Sequence, residues 1–557
     1  MTKRRGMVTA GILAMVTVTG GLVEAQNPAT VSVLRARADS LVRQRSFDAA
    51  AGLYRQILER DSTQIGVFMG LGRATSGAGQ IDDAIDWYRR ALDAGTAPQN
   101  LIAYLVAQLY ARRGERDSTI AWLNRSLAFR LERRSQIAQD SIFGGWRDDS
   151  AFRRLAGLGP GEFANRVAGW RYDIDYLVAE AQRMHAGPER PAYQPEFLAA
   201  AADLERRVAT LSNGRMAVEI QRLLAMLRDG HSILYPMPSP RVAFTRVPLD
   251  LWLFSDGLTV VGADSGLGGR VGQRIVAVGG VPVAEALRRL EPYISRDNPM
   301  GIAVLGALFL TLPDFAAAVG LGGDVGAITY TFETRDGRRE TVTLPATGFR
   351  APSFKLGPAP GIGGSPPLAL HHLDAPQWLQ LLPEKAAVFV QYNQVQDGES
   401  LTVAQFADSL TRVLQRNSTR HLIVDLRRNN GGNNGLNRPL VRALVAFDVA
   451  PGHHLWVLTG RTTFSAAQNF LNNVERWTDA TFVGEPSGSK PNFAGEDTEL
   501  VLPYSGLRGS ISTRWWQDAS PLDRRQWIAP QVSVAVRSTD YFANRDPVLE
   551  AVLSLVH

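Results

Sequence analysis

The chain has 557 residues, of which 45% are hydrophobic and 20% are charged, with a formal net charge of +6 at pH 7. This length exceeds what a single hydrophobic core ordinarily accommodates and predicts about three domains. The absence of cysteine excludes a disulfide framework, a thiolate zinc site and a cysteine nucleophile, and the even spread of the basic residues predicts no nucleic-acid site.

The first residues, 1–25, have the pattern of a secretory signal peptide. Lys3, Arg4 and Arg5 form a positive start, an apolar stretch runs over 7–23, and small residues predict cleavage after Ala25. An uncleaved anchor is less favoured because the apolar part is short and rich in Gly and Thr. The sequence therefore predicts a periplasmic or secreted protein that keeps no stable membrane span once the signal is removed.

Residues 31–156 are helical in pattern and repeat. Ile81 lies 34 positions after Phe47, and Trp122 lies 35 positions after Trp87. A period of 34 residues is typical of tetratricopeptide repeats, and the segment resembles that family over about three repeats. The resemblance implies an all-α array that docks a protein adaptor; a generic helical bundle is the alternative.

A helical segment over 162–236 is predicted next, after a Gly/Pro-rich linker. Residues 241–350 are then rich in Val and Gly and include a hairpin turn at Asp336-Gly337. This β region resembles part of a PDZ domain, which implies that it gathers a substrate tail. The apolar run 300–323 is interrupted by a proline and predicts buried helices, because it is too short to cross a bilayer.

From 366 to 557, strand patterns alternate with helix patterns, which predicts a layered α/β core. Three loops at predicted strand ends stand out, at 425–432, 462–468 and 484–492. Together they contain the residue types that acyl transfer needs: a serine at a helix start, glycines that leave backbone N–H groups uncovered, and a lysine.

Ser465 is the candidate nucleophile, and Lys490 follows it by 25 positions at the end of the next strand. Lysine is rare in this chain, where arginine supplies most of the positive charge, and only lysine can give up its proton to act as a base. The N–H groups of Gly431 or Gly432 and of Ala466 are the candidate oxyanion donors.

The three loops together resemble the C-terminal processing (tail-specific) serine peptidases. The family pattern Asp-Leu-Arg-x-Asn-x-Gly-Gly matches residues 425–432 throughout, a Ser-Ala-Ser-Glu-like stretch matches 465–468, and the family lysine falls on Lys490. The resemblance covers about 170–557 and is strongest after 385. It implies a core related to the Clp peptidases and crotonases, a polypeptide substrate, an acyl-enzyme on Ser465, and no metal or cofactor.

The match has departures. Ala467 and Gln468 replace the second Ser and the Glu of the nucleophile stretch, and Pro491 follows Lys490. The loop Asp229-Gly230-His231-Ser232 resembles the tricorn-like branch, in which a histidine serves as base. Two candidate bases therefore remain, with Lys490 preferred over His231 because its spacing from Ser465 matches the family. A catalytically silent peptide-binding scaffold with the same fold is the alternative function.

Overall fold

The computed structural model describes residues 28–322, 326–348 and 354–556, so the predicted signal peptide lies outside it. The described residues form two compact units, one of residues 28–131 and 141–144 and one of residues 132–140 and 145–556. Within the described ranges, no helix has both the length and the apolar character needed to cross a bilayer.

The first unit consists of helices in which each packs against the next along the chain. Its helices within 28–131 are α1 (Pro28–Arg43), α2 (Phe47–Arg60), α3 (Val67–Gly77), α4 (Ile81–Asp93), α5 (Gln99–Arg112) and α6 (Arg116–Ala128). Small residues permit the close packing, since a Cβ at Gly72 would lie 2.6 Å from the ring of Tyr88. The helical pattern is confirmed, and the tetratricopeptide assignment stays a prediction.

The second unit begins with five helices: α7 (Arg134–Gln139), α8 (Ser150–Leu155), α9 (Arg166–Met184), α10 (Pro195–Arg207) and α11 (Asn213–Ala225). Residues 132–140 and 145–156, which the repeat pattern assigned to the N-terminal array, group with this unit. Arg134 of α7 shows the physical reason, because its guanidinium pairs at 2.7 Å with the buried Glu180 of α9.

An antiparallel sheet follows, with strand order β1-β2-β3-β5-β6 and β4 paired to β3. Its elements are β1 (Leu249–Phe254), β2 (Gly257–Ala263), β3 (Arg274–Val278), β4 (Val281–Pro282), α12 (Val283–Leu290), α13 (Met300–Phe309), α14 (Pro313–Ala318), β5 (Ala327–Glu333) and β6 (Arg339–Pro345). The hairpin predicted at Asp336-Gly337 joins β5 to β6, and α13 and α14 contribute to the buried core as the apolar run predicts. The PDZ-like assignment stays a prediction.

The rest of the unit is the predicted α/β core, a sheet of order β14-β11-β10-β9-β8-β7 in which all pairs except β7·β8 are parallel. The helices and strands of this part of the chain, which also include a separate ribbon of β12 and β13, are β7 (Gln377–Leu382), β8 (Ala387–Tyr392), α15 (Val403–Arg416), β9 (His421–Asp425), α16 (Asn437–Asp448), β10 (His454–Thr459), α17 (Ala466–Trp477), β11 (Thr481–Gly484), β12 (Asn492–Val501), β13 (Arg508–Gln517), β14 (Val532–Ser533), α18 (Ser538–Tyr541) and α19 (Pro547–Leu555).

Alternate strand residues of this sheet face two different cores. Val388, Leu422 and Val457 pack with apolar residues of α15, α16 and α17. Phe389 and Ile423 face the other way and pack with α19. Helices therefore cover both faces, as a mostly parallel sheet requires.

Strands β12 and β13 form a separate antiparallel ribbon that the sequence patterns do not predict. The pairing runs from Asn492↔Gln517 to Val501↔Arg508, but Glu496 has no partner in the register and takes φ 58°. The pairs on either side, Gly495↔Arg514 and Asp497↔Ser512, keep the same register, so the ribbon continues without a bulge. The first four residues of β12, 492–495, are all buried, so β12 does not show the alternation of buried and exposed residues by which strands are recognised.

Candidate active site

The three loops picked out from the sequence meet at one edge of the α/β sheet. Each follows a strand of the parallel set, β9, β10 or β11, and the carboxyl ends of parallel strands lie at the same edge. Hydrogen bonds tie the loops together: Phe464 N donates to Asn429 O at 3.1 Å, and Gly488 N donates to Thr463 O at 2.9 Å.

Ser465 occupies the N-cap of α17 with φ 56° and ψ −125°. This conformation is unfavourable for a residue with a Cβ and costs on the order of 1–3 kcal/mol. It makes a sharp turn from β10 into α17, which is the arrangement that presents a nucleophilic hydroxyl above a sheet. The Ser465 side chain does not cap the helix, so an ordinary capping role does not explain the residue.

His231 contacts this hydroxyl directly. Its Nε2 lies 2.9 Å from Oγ of Ser465, although the two residues are 234 positions apart. The imidazole is buried, with 8% of the residue exposed, and its ring stacks on Phe464 with centroids 4.5 Å apart. With the proton on Nδ1, Nε2 is the acceptor that a serine general base requires.

The ribbon positions the His231 loop. Ile233 and Ser510 of β13 exchange backbone hydrogen bonds of 3.2 and 2.8 Å, and the Ser510 hydroxyl donates to the carbonyl of His231 at 2.6 Å. Gly509 makes this approach possible, because a Cβ there would lie 2.4 Å from the carbonyl oxygen of Ile233. The loop therefore runs as an added strand beside β13.

Asp229 fixes the turn of the same loop. Its Oδ1 accepts from the backbone N–H groups of His231 and Ser232 and from the hydroxyl of Ser512, at 2.9, 2.6 and 2.6 Å. Its Oδ2 lies 2.9 Å from Nε2 of His185. Burial, the largest single influence, raises the pKa of Asp229, but the contacts with His185, the Ser512 hydroxyl and His231 together lower it below its usual value. Asp229 is thus an ionised anchor.

Lys490 lies in the third loop, beside Ser489, whose hydroxyl accepts from Ser465 N at 3.3 Å. Within the described ranges, no hydrogen bond joins the Lys490 side chain to Ser465, whereas His231 makes one. Of the two candidate bases left open by the sequence, the geometry favours His231, contrary to the preference for Lys490 that its spacing suggested.

The glycine loop lies against the nucleophile. A Cβ at Gly431 would be 2.7 Å from Cβ of Ser465 and 2.9 Å from the backbone nitrogen of Ala466, and both Gly431 and Gly432 have positive φ. Gly431 N, however, already donates to Asn429 Oδ1 at 3.0 Å, which does not support the prediction that it is an oxyanion donor. Gly432 and Ala466 remain the better candidates.

A segment that the sequence analysis missed, Ser295–Asn298, braces two of the site's loops. The Ser295 hydroxyl donates to Ser232 O at 2.5 Å, and Asp297 Oδ1 accepts from Gly230 N at 2.9 Å. The Asn298 amide donates to Ser487 O at 3.0 Å and so reaches the third loop. The sequence signal for this segment was a run of four polar residues, Ser295 to Asn298. No pattern along the chain connects that run to Ser465.

A cavity of about 450 Å³ opens beside the nucleophile. Its lining includes Gly230, Phe464 and Gly488, and these residues neighbour His231, Ser465 and Ser489 in sequence. Most of its wall is aliphatic or aromatic, formed by Ile233, Leu234, Val304, Leu305, Leu308 and Phe309. Its chemistry suits an apolar group. Within the described residues, no group of three or more His, Asp or Glu side chains is arranged to hold a metal ion.

No protein-family model matches the chain, and no curated protein matches it either. Solved structures similar to it include mature CPAF, with 13% identity over 70% of this chain and 96% of that chain and a TM-score of 0.48. The photosystem II D1 C-terminal processing protease aligns with 14% identity over 70% and 97% and a TM-score of 0.33. The tricorn protease aligns with 11% identity over 70% and 36% and a TM-score of 0.31. Because all three TM-scores lie below 0.5, the case for function rests on the geometry of the site.

Proposed function

We propose that the chain is a serine peptidase in which Ser465 is the nucleophile and His231 is the general base. The observation that carries the proposal is the 2.9 Å contact between His231 Nε2 and Ser465 Oγ, made by a serine on a strained turn into a helix. A serine hydroxyl is a weak nucleophile until a neighbour accepts its proton, and this pairing supplies the acceptor.

In the proposed reaction, Ser465 Oγ attacks the scissile carbonyl while its proton passes to His231 Nε2. The N–H groups of Ala466 and Gly432 are the proposed donors to the negative charge that develops on the carbonyl oxygen. His231 then returns the proton to the leaving amine, which leaves an acyl-enzyme on Ser465, and water releases the acyl group by the same steps.

The adjoining apolar cavity supports a polypeptide substrate. A pocket of this size beside a nucleophile suits the side chain next to the scissile bond, and its aliphatic lining favours a large apolar one. Unfolded polypeptides that carry leucine or phenylalanine at this position are therefore the substrates to test first.

Replacing the nucleophile tests the proposal. Ser465→Ala should lower cleavage of such a polypeptide by more than about 10³-fold and abolish labelling by a fluorophosphonate probe, because both need the activated hydroxyl. The thermal midpoint should stay nearly unchanged. Ser554→Ala, which alters an exposed serine of α19, is the matched control and should label normally. If the unmodified protein neither labels nor cleaves, the silent scaffold becomes the better account.

A further inference from the structure

We propose that Asp297 is a positioning residue for His231: during the reaction its carboxylate rotates to accept a hydrogen bond from Nδ1 of the imidazole and offsets the charge that the ring gains when it takes the Ser465 proton. The inference deepens the proposed function and rests on it. For Nε2 to act as the base, Nδ1 must carry the other proton, and a buried N–H needs an acceptor.

Two buried atoms in this region, one a donor and one an acceptor, have no hydrogen-bond partner. Among the described residues, His231 Nδ1 and Asp297 Oδ2 are both buried and make no hydrogen bond. The first is a donor in the active tautomer, and the second is an acceptor. A buried polar atom without a partner costs free energy comparable to a lost hydrogen bond, so a rotation of the carboxylate toward the ring would satisfy both atoms.

The backbone already holds Asp297 beside the histidine. Its Oδ1 accepts from the N–H of Gly230, the residue before His231. The neighbouring residues Ser295 and Asn298 secure the segment on either side through Ser232 and Ser487. Asp297 therefore lies on a segment fixed to both the histidine loop and the third loop, which restrains the position of its carboxylate.

Asp229 is the other carboxylate near His231, but its oxygens already have hydrogen-bond partners. Its two oxygens contact two backbone N–H groups of the loop, the hydroxyl of Ser512 in β13 and the ring of His185. Both oxygens of Asp229 therefore have partners that fix the turn. Oδ2 of Asp297 has none, so Asp297 is the carboxylate that we expect to respond when His231 becomes charged.

The electrostatics agree with this assignment. Burial raises the pKa of Asp297 to about 6, while His231 and the Ser489 hydroxyl act in the opposite direction and Asp229 adds to the rise. Three cations line the same cavity. Arg296 pairs with Glu291 and Arg461 with Glu485, and the Lys355 ammonium donates to Asn393 O and Gln394 Oε1. In its ionised form Asp297 would stabilise an imidazolium at His231, because the two charges are opposite.

Asp297→Asn tests the inference, because the amide oxygen can still accept from Gly230 N but carries no charge. We expect kcat/KM to fall by about 10- to 100-fold and the acid limb of its pH profile to move to lower pH by about one unit, since the anion that favours the imidazolium is gone. Asp173→Asn is the matched control. Asp173 is a buried carboxylate whose pKa burial likewise raises to about 6, but it bonds to the backbone of Tyr504 and Ser505.

The control should leave the acid limb where it is. If Asp297→Asn lowers the rate equally at every pH, its role is structural and the inference is overturned. If Asp229→Asn moves the acid limb and Asp297→Asn does not, Asp229 takes the role.

An NMR titration of the histidine ring signals in a Ser465→Ala background needs no catalytic activity. It therefore tests the inference even if the proposed function fails. An unchanged midpoint for His231 on adding Asp297→Asn would then refute it.

Discussion

At the scale of single residues, the site depends on an unusual backbone and one long-range contact. Ser465 holds positive φ although it has a Cβ. The residues before it are tied to the other two loops, because Phe464 N donates to Asn429 O and Thr463 O accepts from Gly488 N. Such conformations persist where the surroundings determine them fully, and they cluster at functional sites. His231 completes the pair from a part of the chain that no local pattern connects to Ser465.

The two candidate bases can be separated by replacing each in turn. We expect His231→Ala to lower kcat by about 10²- to 10⁴-fold, because the acceptor at 2.9 Å from Ser465 Oγ is lost. Lys490→Ala should lower kcat far less. His453→Ala, which changes a histidine that bonds to Phe447 O, serves as a control for loss of an imidazole elsewhere. A larger loss of kcat for Lys490→Ala would return the role to the lysine and contradict our assignment.

At the scale of elements, the ribbon of β12 and β13 links the α/β core to the helices before it. Residues 233–235 add to β13 as a further strand, and the hydroxyls of Ser510 and Ser512 reach His231 O and Asp229. On the other side of the site, Arg427 is held by Asp425 and by Asp546 at the start of α19, at 2.6 and 2.7 Å. These contacts explain how loops that follow different strands keep a fixed geometry.

Gly509→Ala tests the ribbon's part in placing the histidine. The added Cβ would lie 2.4 Å from Ile233 O, so the His231 loop must move away from β13. Because displacement by about 1 Å can cost about 10²-fold in rate, we expect kcat and fluorophosphonate labelling to fall by that order. Gly268→Ala, where a Cβ would meet nothing within 4 Å, should leave both unchanged. Normal kcat in Gly509→Ala would show that the loop does not depend on this contact.

At the scale of the whole molecule, two compact units divide the work that we propose. The described residues of the site all belong to the second unit, and the helices of the first have the pattern of a docking array. We therefore propose that the first unit binds a protein partner or adaptor and that catalysis needs the second alone.

Truncation tests this division. A chain that starts at Glu132 should fold, label with the probe and cleave a small unfolded substrate at the normal rate, and it should lose only native substrates that need a partner. A chain that starts at Gly161 lacks Arg134 and leaves Glu180 with Arg183 as its remaining ion pair, so its thermal midpoint should be lower. Full activity of the Glu132 chain on every native substrate would contradict the docking role.

The sequence alone determined the parts of this protein that depend on neighbours along the chain. Apolar runs at 387–390, 421–425, 455–458 and 481–484 predict strands that the structure confirms, because a strand buried on both faces is apolar throughout. The loops after those strands, and Ser465 among them, follow from the same local patterns.

Only the tertiary structure decided which base meets Ser465. Spacing along the chain favoured Lys490, whereas folding across 234 residues places His231 at the hydroxyl. That contact depends on a ribbon whose first strand, β12, lacks a regular alternation of buried and exposed residues, and on the brace at Ser295–Asn298. Polar side chains of this kind satisfy hydrogen bonds to distant backbone groups, and no periodicity of the sequence records such partners.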